Sequence, residues 1–206
     1  MNLATWLTVV LICTLGAVSP GPSLAVVLRH TMAGGRRNGS VAALSHGLGV
    51  GLYALLCISG LALLLTGTPA LFSAFQWAGA AYLAWLGLQG LRARPATEAV
   101  LPSAPTTTSA ARDGFLIAFL NPKIAVFFIA LFSQVIGPST SLAARLGYAA
   151  TALLIDTLWY LVVAWLCSRP RWLERLRAHQ QWLERLFGVV LLALAARLVL
   201  ANLAIP

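Results

Sequence analysis

From Leu3 to Leu28 the chain runs without a charged residue, and five later stretches are nearly as apolar. The six lie at roughly 3–30, 41–67, 70–91, 114–136, 146–167 and 186–203. Each approaches the ~20 residues needed to cross a hydrocarbon core ~30 Å thick. A backbone in that medium cannot bond to water, so runs of this length read as helices that satisfy their own polar groups. Composition agrees. Only 9% of the residues are charged and the mean hydropathy is +0.86, whereas a soluble domain carries about 25% charge. The chain is expected to be an all-α integral membrane protein with six transmembrane helices.

Charge sets the orientation. The formal net charge is +9, and Lys123 is the one lysine among 14 basic residues. Arg29, Arg36 and Arg37 follow the first stretch, Arg92, Arg94 and Arg112 the third, and Arg169, Arg171, Arg175, Arg177 and Arg185 the fifth. The second connection has no basic residue and the fourth only Arg145. Positive charge collects on the cytoplasmic side, so both termini are expected outside. The N-terminus lacks the positive region of a signal peptide and is read as a retained span. No basic stripe with interleaved aromatics suggests nucleic acid.

Residues 92–113 are rich in Pro, Ala, Thr and Ser and read as a cytoplasmic linker. They divide the chain into a three-helix repeat at 1–91 and a second at 114–206. An odd number of crossings forces the second half to insert upside down, the inverted-repeat plan of many transporters. Within the second half, segment 169–186 has Trp172, Leu176, His179 and Leu183 at helical spacing with charge between them. It reads as an amphipathic interfacial helix, or as an extension of the last span.

Two proline motifs interrupt helices one and four. In Ser19-Pro20-Gly21-Pro22-Ser23 the prolines remove backbone donors, and an internal proline costs a helix ~3 kcal/mol. The freed carbonyls need protein or a wet cavity around them. Pro22 suits the first turn of a new half-helix, with Ser19 or Gly21 near its cap. Such a half-helix start favours an anion such as a carboxylate. Asn121-Pro122-Lys123 is the counterpart in the second half. Paired interruptions are the strongest sequence pointer to a transport site, although prolines can also merely kink packed helices.

Charge inside a span is expensive and marks function. Asp156 is the single acid within any of the six stretches. It is a candidate proton carrier or ammonium partner, or else a structural partner of Lys123 or Arg197. Lys123 is placed to meet a substrate carboxylate, to pair with Asp156, or to reach the cytoplasm; Arg197 is nearer the outer end. His46 is either a packed residue or a proton relay. Tyr53, Trp159 and Tyr160 are candidate cavity-lining residues, with aromatic packing the alternative. Gly47 and Gly51 make a G-x-x-x-G face suited to close helix contact, and so to a homodimer. The dispersed cysteines Cys13, Cys57 and Cys167 form neither a disulfide framework nor a metal site. No nucleotide loop or catalytic triad is visible, so neither enzyme activity nor a cofactor is expected.

These residues carry a resemblance. The chain resembles the lysine exporter family (LysE/RhtB type), which includes homoserine and threonine exporters. The likeness rests on "SPGPS", on Gly-Arg-Arg-Asn-Gly at 35–39, on the pattern from Gly114-Phe115 to Asn121-Pro122-Lys123, and on Asp156. It implies export of amino acids or their derivatives across the bacterial inner membrane, driven by the proton gradient. It also implies that Pro20, Gly21, Pro22, Asn121, Pro122, Lys123 and Asp156 occupy family motif positions. His46 departs from the small or apolar residue usual at its place. A membrane thiol–redox protein and a passive channel are the alternatives.

Overall fold

The computed structural model describes residues 3–92, 106–137 and 139–203; the linker residues 93–105 lie outside the described residues. Seven helices follow in order: α1 (Leu3–Val18), α2 (Pro22–Gly67), α3 (Pro69–Leu91), α4 (Thr107–Leu120), α5 (Pro122–Phe132), α6 (Leu142–Cys167) and α7 (Pro170–Leu203). Among the described residues, three stretches are long and apolar enough to cross a membrane: Pro22–Leu61, Ala70–Leu91 and Leu142–Cys167. A fourth joins them if α4 and α5, bent by 52° at Asn121, count as one.

The boundaries have local causes. Proline opens α2, α3, α5 and α7, where its missing N–H would have no helical partner anyway. Thr106 caps α4 by accepting from Ser109 N at 3.1 Å, so Thr107–Asp113, the end of the Pro- and Thr-rich stretch, is helical. Ser141 caps α6 in the same way. Within α2, Gly35 takes φ 71° and ψ −175°, a left-handed backbone that turns the chain between two helical parts. In α7 the charged segment that begins at Pro170 continues into the apolar one without a break.

Packing is inverted relative to a soluble protein. Leu48, Leu56, Leu154, Leu158 and Trp165 are exposed, while Ser19, Ser23, His46, Asn121 and Asp156 are buried. An apolar exterior suits lipid, and buried polar groups then need partners inside. α2 packs mainly on α6 and α4, and α3 on α7. The α2–α6 contact is close because Gly47 has no side chain: a Cβ there would lie 2.9 Å from Thr157 Cβ. Gly51 meets Leu153 of α6 in the same manner. The G-x-x-x-G face is thus filled within one chain. Trp6 Nε1 donates to Thr151 Oγ1 at 3.1 Å and ties α1 to α6.

Candidate functional site

The site forms where the two breaks in the helical chain meet. α1 ends at Val18 and α2 begins at Pro22, which leaves Ser19, Pro20 and Gly21 between them. α4 ends at Leu120 and α5 begins at Pro122, which leaves Asn121. The Asn121 side chain holds the two together. Its Oδ1 accepts from Lys123 N at 3.0 Å, capping α5, and its Nδ2 donates to Ser23 Oγ at 3.3 Å in the first turn of α2. The starts of α2 and α5 therefore face one another.

Lys123 crosses this junction. Its ammonium donates to Ser19 Oγ at 2.6 Å and to Pro20 O at 3.1 Å, and it lies 4.6 Å from the centre of the Phe187 ring of α7. A carbonyl freed at the first break is thus met by a cation from the second. An ammonium has three donors, so a third remains for other acceptors. Among the described residues Lys123 makes no salt bridge with Asp156.

Asp156 pairs with His46 instead. His46 Nδ1 lies 2.6 Å from Asp156 Oδ2, with both residues buried. At that distance the ring N–H donates to the carboxylate or, if the ring is protonated, forms an ion pair with it. His46 Nε2 has no hydrogen-bond partner among the described residues. The Tyr160 ring stands edge-on to His46 with centroids 4.9 Å apart, and Tyr160 and Ser23 line the same cavity.

These groups share a cavity of about 60 Å³. Ser19, Gly21, Pro22, Ser23, His46, Asn121, Lys123, Asp156 and Tyr160 all contribute to its wall. Cys13, Phe127, Phe128, Phe187 and Leu191 complete it with apolar surface. A small polar cluster inside an apolar shell is the usual build of a small-molecule site. Pro20 lies just outside it, lining a neighbouring cavity with Lys123. Pro122 lines neither; it opens α5 and so sets where Lys123 starts.

Two of the aromatic candidates lie elsewhere. Tyr53 packs on Phe119 and Phe128, with centroids 5.5 and 6.5 Å away. Trp159 lines a separate cavity with Trp172, Arg175 and His179. Arg197 borders a small cavity beside Thr5, Thr8 and Gln134, away from Asp156. The sequence reading did not single out Phe127 or Phe187, which look like ordinary core residues in an apolar run. It also missed a second, half-buried network: Asp113 of α4 accepts from Arg29 and lies 3.1 Å from His30 Nε2, both on α2. Arg29 and Asp113 fall at the ends of their apolar stretches, where charge reads as ordinary flanking charge. Among the described residues no cluster of His, Cys, Asp or Glu is placed to hold a metal.

Comparison with known proteins adds to this geometry. The sequence matches the profile of a family described as LysE type translocator over residues 14–202. It is 26% identical to the threonine efflux protein of Escherichia coli K12, over 97% of this chain and 100% of that protein. It is 32% identical to the homoserine/homoserine lactone efflux protein of Salmonella typhimurium, over 98% of this chain and 99% of that one. No solved structure matches significantly.

Proposed function

Since the chain belongs to the LysE type translocator family, we propose that it is a secondary active exporter of amino acids or their derivatives, working as a proton antiporter in the bacterial inner membrane. Its relatives are named for efflux of threonine and of homoserine or homoserine lactone, which makes small hydroxylated amino acids the first substrates to test. The observation that carries the reading is the convergence of a buried acid, a buried histidine and the half-buried Lys123 on a single cavity at the meeting of two helix breaks.

The two halves of the chain are read as inverted repeats. In each half a short helix ends at a break, a second helix begins with proline, and longer helices follow. α1 with α2 as far as Gly35 makes the first interrupted span, and α4 with α5 makes the fourth. The arginine distribution supports a reading with both termini outside and the amphipathic start of α7 at the cytoplasmic face.

The chemistry is competition for one carboxylate. A zwitterionic substrate sets its carboxylate against the third donor of Lys123 and the amide-rich starts of α2 and α5. Its ammonium neutralises Asp156. A proton on the His46–Asp156 pair does the same, so substrate and proton exclude each other. A carrier that reorients only when Asp156 is neutralised then exchanges one for the other. Exclusive binding of this kind is what couples two ligands in opposite directions.

Efflux from proteoliposomes loaded with threonine or homoserine tests this under an imposed pH gradient. Asp156→Asn is expected to cut gradient-driven export at least about tenfold, on the scale of a lost charged partner, while counterflow between equal pools persists. Full gradient-driven export by that variant would refute coupling through Asp156. Flux indifferent to the gradient in the unaltered protein would favour a passive channel.

A further inference from the structure

A second cavity of about 220 Å³ adjoins the first. The two share Ser19, Gly21, Pro22, Lys123 and Phe187 along a common wall. Gln89 and Gly90 near the end of α3 and Glu184 of α7 also line the outer one. Among the described residues, its lining holds one cation, Lys123, and one acid, Glu184, and otherwise uncharged side chains. Among the described residues, Glu184 is the one acid besides Asp156 that lines either cavity. Its placement is firm. Gln180 Nε2, one turn earlier, donates to Glu184 Oε1 at 3.1 Å. The backbone behind it abuts α3 closely: a Cβ on Gly90 would lie 2.7 Å from Glu184 O. One hydrogen bond leaves a carboxylate with further acceptor sites.

We propose that this outer cavity is a second substrate site, which receives a zwitterionic amino acid with its ammonium on Glu184 and its carboxylate on Lys123. The proposal rests on the export reading above. Lys123 faces both cavities, so the carboxylate keeps its partner as the molecule moves inward, and the ammonium exchanges Glu184 for Asp156. The inner cavity must open further to accept it, and the outer one is where the molecule waits. Glu184 selects for a free amino group: a substrate without one gains nothing from it and loses a hydrogen bond to a charged group. Gln89, which lines the same cavity, is placed to contact the side chain of the waiting molecule.

Efflux kinetics of the purified full-length protein in proteoliposomes test this, with threonine, homoserine and the other amino acids as probes. Glu184→Gln is expected to raise the half-saturating internal concentration about tenfold and leave the maximal rate within about twofold. Glu184→Asp keeps the charge but withdraws it by one methylene; it is expected to show an intermediate rise, and it serves the test if the glutamine variant folds poorly. Asp156→Asn removes the inner site's ammonium partner and weakens that site, so the threonine binding it retains reports mainly the outer one and is expected to fall further when Glu184→Gln is added. An unchanged half-saturating concentration in both Glu184 variants, with the unaltered protein active, would overturn the outer site and leave the export reading intact. An unaltered protein that moves none of the amino acids would overturn the export reading, and the outer site with it.

Discussion

The two helix breaks solve the same problem differently. At the second break a single residue, Asn121, separates the helices, and its own side chain caps α5 by accepting from Lys123 N. At the first break three residues lie outside both helices, and the Pro20 carbonyl is met by the Lys123 ammonium. The second break is thus held locally, whereas the first borrows its partner from the other half of the chain. A local cap forms as soon as its helix does. A borrowed one exists only while the halves are docked, so the first break can be opened by anything that draws Lys123 away. The carboxylate of the proposed substrate would be such a competitor.

This contrast can be broken by substitution, and the largest effect is expected at the shared residue. Lys123→Met removes the cation and leaves a buried carbonyl without a partner, at about 1–3 kcal/mol. Export by this variant in the proteoliposome assay is expected to fall about a hundredfold, because the carboxylate anchor goes as well. Asn121→Ala removes a cap worth about 1 kcal/mol and should lower the thermal unfolding midpoint of the detergent-solubilised protein. Its export is expected to fall less than that of Lys123→Met. Ser19→Ala removes one of two acceptors of the ammonium and leaves Pro20 O in place, so a loss of about 1 kcal/mol or less is expected. A Ser19→Ala protein as impaired as Lys123→Met would mean that the hydroxyl, and not the carbonyl, holds the first break. An Asn121→Ala protein more impaired than Lys123→Met would reverse the dependence between the halves.

Much of this was legible in the sequence because proline and glycine act locally. The motif at Ser19–Ser23 marks the end of α1 and the start of α2, and Asn121-Pro122 marks the junction of α4 and α5. The resemblance to the family was read on the same motifs. What was not legible depends on contacts between distant segments. Asp156 had Lys123 and Arg197 as candidate partners, yet it meets His46, which lies 110 positions away. Periodicity along α2 and α6 gives each helix a face but not the rotation that brings those two side chains together. Glu184 sat in a charged amphipathic stretch and read as one of its solvent-facing residues. Only the docking of α7 on α3 turns it toward Lys123. The same docking is prepared by Gly87, Gly90 and Gly188, whose lack of side chains lets the two backbones touch.

The contact at Gly47 has one more consequence. Gly47 is the neighbour of His46 in the chain, and Thr157 is the neighbour of Asp156. The place where α2 and α6 touch and the place where His46 meets Asp156 are therefore a single joint. Prising those helices apart there lengthens the gap between ring and carboxylate, and lengthening that gap loosens the joint. In the proposed antiport, protonation of the pair would thus be tied to the spacing of the scaffold itself, as a latch is tied to the door it closes.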